Sequence, residues 1–133
     1  MATGQGAVHR AWADVPVEAM NPNLDRQFLS GVHLTLARVV LRKGSVVSRH
    51  SHANEQMAQL LSGCLKFLLF EDGVGGDGID ATPREVVLRP EEVLVIPPGV
   101  PHEVHVLEDS VNLDIFAPPR EDWMSGDDAY LRG

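Results

Sequence analysis

The densest chemistry in the chain lies in Arg49-His50-Ser51-His52-Ala53-Asn54-Glu55-Gln56. On an extended strand, side chains two apart face the same side. His50 and His52 therefore project two imidazoles into one space. Imidazole is the commonest protein ligand for first-row divalent metals. Gln56 shares their parity, although a turn at Ala53-Asn54 would make Glu55 the competing oxygen donor. A third imidazole stands directly after Pro97-Pro98-Gly99-Val100-Pro101, at His102. Prolines fix φ, so that turn sets the direction from which His102 enters its strand. A histidine pair alone also occurs on ordinary solvent-facing strands, and the second segment is what adds weight to a metal.

Further along, residues 110–120 read Ser-Val-Asn-Leu-Asp-Ile-Phe-Ala-Pro-Pro-Arg. Asn112, Asp114 and Phe116 share one face of a strand, and Val111, Leu113 and Ile115 share the other. A polar face with one aromatic suits the inside of a binding cavity. Asp114 is then a proton-transfer group, Phe116 a wall for a substrate ring, and Arg120 a clamp for a carboxylate. A two-sided strand ending in a surface arginine carries the same pattern. The apolar face suits a second sheet or a partner subunit, and a homodimer is the expected assembly.

Short strands must position these groups. The chain has 133 residues, with twelve glycines and nine prolines punctuating short apolar runs. Strands are predicted near 26–30, 32–41, 46–50, 56–61, 64–71, 84–89, 93–96, 103–107 and 110–117. Residues 12–25, broken by Pro16 and Pro22, read as an irregular arm or edge strand, and Gly73–Gly78 as a hairpin tip. Residues 120–132 read as a short helix or a tail packed on the outside. Many short strands at regular spacing argue for an all-β sandwich or small barrel, whose interior holds one small ligand. One domain over 1–133 is expected, with the barrel at about 30–118, an arm at 1–29 and a tail at 119–133.

Composition narrows the function. The formal charge of -8 argues against nucleic acid and anionic membrane surfaces as partners. No stretch nears the roughly 18 apolar residues of a membrane span, and the start lacks a signal-peptide pattern, so a cytoplasmic protein is expected. The single cysteine, Cys64, rules out a disulfide framework and an all-cysteine metal site, and it reads as a small core residue. His9, His33 and His105 are not expected to be ligands: His105 should reach solvent, and His33 should be hydrogen-bonded in a core or interface. Arg38 and Gln59 are weighed between cavity and surface.

The two histidine segments resemble the cupins, small double-stranded β-helix (jelly-roll) barrels. Their first motif is Gly, five residues, His-x-His, three or four residues, Glu, six residues, Gly. Gly44, His50, His52 and Gly63 match it, and Gln56 stands at the glutamate position. Their second motif is matched by Pro97, Gly99 and His102, while Glu91 replaces a glycine and Val106 an asparagine. The resemblance implies a jelly-roll barrel with one divalent transition metal held by His50, His52, Gln56 and His102. Ni, Zn, Fe, Mn and Co suit such donors almost alike. A neutral amide in place of a carboxylate leaves the dication's full charge on the site, which leans toward Lewis-acid chemistry on a small anionic substrate.

Asp-x-Phe-x-Pro-Pro-Arg, following this first motif, is similar to the cupins that open unsaturated uronate monosaccharides, the KdgF type. That resemblance implies that Asp114, Phe116 and Arg120 line the substrate cavity. It points to a metal-dependent enzyme of the lyase or isomerase kind. The alternatives are an iron-dependent dioxygenase and a non-catalytic cupin that binds a small molecule.

Overall fold

The computed structural model describes residues 6–71, 82–126 and 131. A 3-10 turn at Trp12–Asp14 precedes β1 (Glu18–Asn21), β2 (Leu24–Ser30), β3 (Thr35–Leu41), β4 (Val46–His50) and β5 (Glu55–Leu69). Then come β6 (Arg84–Leu88), β7 (Val93–Ile96), β8 (His102–Ala117) and a short helix, α1 (Glu121–Ser125). The predicted hairpin tip at Gly73–Gly78 lies outside the described residues.

All pairings are antiparallel. The two long strands, β5 and β8, run side by side through both layers. The second half of β8 pairs with β3 and with the first half of β5. Its first half pairs with β4 and with the second half of β5. With β1 and β2 extending one layer through β3, and β6 and β7 flanking β5, this is the all-β jelly roll. Alternation places Ala37, Val39 and Leu41, and likewise Val104 and Val106, in the shared core. Each fully buried leucine or phenylalanine there contributes roughly 2–3 kcal/mol.

Several predicted elements differ from those observed. The segments 56–61 and 64–71 form one strand, as do 103–107 and 110–117. Bulges between Leu60 and Leu65 bend β5 without ending it. They also exchange its faces: Gln56, Ala58 and Leu60 are buried before the bend, and Leu65, Phe67 and Leu69 after it. Of the two readings of 12–25 the edge strand holds: the segment contains β1, at the end of the sheet order, and the start of β2. His33 lies exposed in the β2–β3 connection, because the third strand starts at Thr35 and not at 32. Of the two readings of 120–132 the short helix holds, as α1, and it packs inward, with Arg120, Trp123 and Leu131 buried.

Gly63 makes the bend possible. Its φ is +95°, and an added Cβ would stand 2.2 Å from Ser110 Oγ and 2.4 Å from the Asp109 carbonyl oxygen. Gly63→Ala should therefore destabilise the fold by roughly 2–4 kcal/mol, from left-handed backbone strain plus overpacking. Urea unfolding of the metal-free protein measures this; an unchanged midpoint would show that the bend tolerates a side chain. Glu91, at the motif position that lacks its glycine, nevertheless keeps a positive φ of 71°.

Candidate metal centre and its cavity

Local sequence builds the histidine cluster first. His50 ends β4 and His102 opens β8, and the two are cross-strand partners. His52 follows in the loop, where Gly99 N–H donates to its carbonyl at 2.8 Å and joins the two histidine segments. One ring nitrogen from each of His50, His52 and His102 lies within 4.8 Å of the others, a grouping that could hold a metal ion.

Their protonation is set by the backbone. Nδ1 of His50 faces the Ser48 carbonyl at 2.7 Å, that of His52 the Asn54 carbonyl at 3.0 Å, and that of His102 the Val100 carbonyl at 2.9 Å. A carbonyl only accepts, so Nδ1 carries the proton and Nε2 keeps its lone pair in each ring. Burial lowers the pKa of His50 to about 4 and, with the neighbouring His50, that of His102 to about 3. Burial and the Arg120 charge lower His52 as well. All three rings are neutral near pH 7, the ligating form.

The amide of Gln56 lies beside the three imidazoles. Gln56 is buried and Glu55 exposed, so the loop keeps the parity that points Gln56 inward. Gln56 Nε2 donates to Asp114 Oδ1 at 2.9 Å, which turns Oε1 toward His52 Nε2 at 3.1 Å. Two acceptors then face each other. Flipping the amide would only move the clash to the carboxylate. A shared cation relieves it, and neighbouring ligand atoms about 2.1 Å from one ion at right angles are about 3 Å apart. Three imidazole nitrogens and one amide oxygen thus fit a first-row divalent metal, and no feature of the set selects among them.

Asp114 is deeply placed. Its Oδ1 accepts from Gln56 and, at 2.8 Å, from Asn112 Nδ2. Burial nonetheless pushes its carboxyl up to about 6, against the pull of those hydrogen bonds and of Arg120. Phe116 meets His52 edge-on, with ring centroids 5.5 Å apart.

Arg120 is not an open clamp. Its Nε and Nη2 donate to Asp122 at 2.9 and 2.6 Å, and its guanidinium lies 4.6 Å from both the Phe116 and Trp123 rings. Burial alone would raise the Asp122 carboxyl, but Arg120 outweighs it and holds it below its usual range.

Arg38 and Gln59 are not part of the cavity. Arg38 alternates with the buried Ala37 and Val39 and bonds Gln27 at 3.3 Å, and Gln59 is exposed. His105 keeps 32% of its side chain exposed and meets Glu103 at 2.6 Å. Cys64 is buried, as expected.

The sequence reading missed three contributors. Asn54 is buried; its Nδ2 donates to the Pro118 and Pro119 carbonyls while its own carbonyl holds His52. Arg26, 1% exposed, lines the cavity, bonds Glu18 at 2.9 Å and stacks 4.4 Å from the Trp123 ring. Trp123 closes the same cavity from α1. Parity with Leu24 and Phe28 marks Arg26 as inward-facing, whereas nothing local marks Trp123.

A family model described as Cupin matches residues 17–116, well over half of the chain. The chain is a cupin. No curated protein matches it. Among solved structures, this cupin is similar to KdgF from Halomonas sp., with TM-score 0.69 and 23% identity over 84% of this chain and 94% of that one. An RmlC-like cupin from Shewanella frigidimarina gives TM-score 0.75 and 20% identity, over 91% and 99% of the two chains. Oxalate decarboxylase from Lactobacillus farciminis, in a formate complex, gives 0.70 and 14%, over 91% of this chain and 39% of that one. At these identities the likeness shows the fold. Among the described residues, no helix of this cupin is long and apolar enough to cross a membrane.

Proposed function

We propose that this cupin is a metal-dependent enzyme of the lyase or isomerase kind, acting on a small, carboxylated, enolisable substrate. The observation that carries this is the convergence of three imidazole lone pairs and an amide oxygen beside a buried carboxylate. His50, His52, Gln56 and His102 would hold one divalent transition metal (Ni, Zn, Fe, Mn or Co). When bound, the ion supplies Lewis-acid polarisation of substrate oxygens. Neutral donors leave its charge uncompensated, which favours an anionic substrate.

The remaining roles fall to the chain's own residues. Both hydrogen bonds to Asp114 end on Oδ1, which leaves Oδ2 to take and return a proton at the carbon next to the substrate carbonyl. The Phe116 and Trp123 rings keep water away from that transfer. Arg120, held in place by Asp122, adds positive charge for the carboxylate.

One member of this substrate class is an unsaturated uronate monosaccharide, whose cyclic enol-ether hemiacetal would open to the linear keto form. The Asp114–Phe116–Arg120 pattern and the similarity in fold to KdgF from Halomonas sp. support it. Metal-loaded protein should then accelerate the loss of ultraviolet absorbance of such monomers in pectin or alginate lyase digests. Decay at the spontaneous rate would remove this member of the class.

We further infer that the protein works in the cytoplasm as a homodimer. Cross-strand pairing lays Leu29, Leu36, Ile115, Met57 and Val95 in one outward row across five strands. Ile115, Met57 and Val95 are 41%, 43% and 47% exposed, and no second sheet covers them among the described residues. A continuous apolar row of this kind marks an association surface. Light scattering should give twice the 14.5 kDa chain mass, and Ile115→Lys should return it to the single value. A monomer at micromolar concentration would refute the dimer.

A further inference from the structure

The cavity changes character along its length. His50 pairs with His102, and Gln56 with Phe116, in the layer that holds the imidazoles. Two residues on along β8, Val104 pairs with Val47 and Phe67. Farther in, Val39 pairs with Arg26 and Asn112, and Leu41 with Leu24. Beyond the imidazole layer the wall is therefore mainly Leu24, Val39, Leu41, Val47, Leu65 and Val104.

The polar groups in this wall are few, and Asn112 Oδ1 is a buried acceptor left open to one donor. The amide of Asn112 donates to Asp114, and Arg26 is tied to Glu18 and stacked on Trp123. The cavity volume is about 70 Å³. That is room for about five to seven non-hydrogen atoms. A hexuronate carries oxygen on nearly every ring carbon and needs roughly twice that room. Beyond one hydroxyl that Asn112 Oδ1 could accept, each hydroxyl turned toward the aliphatic wall would lose its water without gaining a partner.

We propose that the inner end of this cavity selects a compact alkyl body of about one or two carbons, making the preferred substrate a short-chain enolisable oxoacid. The proposal rests on the metal-dependent reading above. It places the carboxylate and carbonyl at the histidine end and the alkyl group against Val104, Val47 and Leu65. It also sets the sugar below the oxoacid within the same class.

The test is calorimetric titration of the full chain, loaded with cobalt(II), with glyoxylate, pyruvate, 2-oxobutanoate and an unsaturated uronate. The cobalt visible spectrum provides an independent readout of binding. Affinity should rise about fourfold with each added methylene, the gain for burying one such group, and the uronate should bind most weakly. Val104→Thr exchanges one methyl for a hydroxyl at nearly the same shape and should flatten the series. Val39→Thr asks the same question on another strand should the first variant fold poorly. A flat series in the wild type, or a uronate that binds tightest, overturns the proposal and leaves the metal-dependent reading standing. Absence of binding by all four at full metal loading overturns both.

Discussion

Replacing His102 by alanine should remove stable metal binding altogether. His102 is 1% exposed, its Nδ1 is held by the Val100 carbonyl, and its ring centroid lies 4.3 Å from that of His50. Losing it leaves two imidazoles and an amide, a set with one donor fewer than structural or catalytic sites commonly use. Metal affinity should fall by well over the 10–100-fold typical of losing a supporting partner. His50→Ala, at a less buried ring, should behave alike and guards against simple misfolding. Elemental analysis after dialysis against a weak chelator reads the result. Wild-type protein should retain one ion per chain and gain stability from it, about 2.7 kcal/mol when free metal is 100 times the dissociation constant. Gln56→Glu should keep the ion and bind it more tightly, because it adds a charge. One retained equivalent in both histidine variants would place the ion elsewhere.

Asp114→Asn should lower turnover by about 10²-fold or more while leaving metal content intact. The structure gives this substitution two routes to its effect. One is loss of the group that exchanges a proton. The other is loss of the acceptor that holds the Gln56 amide with its oxygen toward His52. Combining it with Gln56→Glu separates them, since a carboxylate has no amide orientation to lose. Recovery in the double variant would make Asp114 a positioning residue; undiminished loss would make it the proton carrier. Arg120→Ala should chiefly raise the Michaelis constant. It should also loosen Phe116 and Trp123, so its melting point must be read beside its kinetics. Unchanged turnover in Asp114→Asn would exclude both roles.

The parts legible in the sequence were those that depend on local geometry. Two histidines two residues apart share a face wherever an extended strand runs, and a proline-rich turn before His102 limits that residue's approach. Alternation along 110–117 separated Asp114 and Phe116 from Val111 and Ile115, because a pleated strand leaves each side chain only two directions. Tertiary structure decided what depends on distant segments meeting. The bulge at Gly63 reverses the buried parity of β5, and its effect follows from a close approach to Ser110, 47 residues away in sequence. Arg38 fell outside the cavity and Arg26 inside it because β2 and β3 lie side by side with matched faces. Arg120 met Asp122, Phe116 and Trp123 only once α1 had folded over the cavity, so its charge became part of a fixed stack. Spacing along one strand is a short-range property that steric rules fix. Which residue on one strand meets which on another is settled by the packing of the whole barrel.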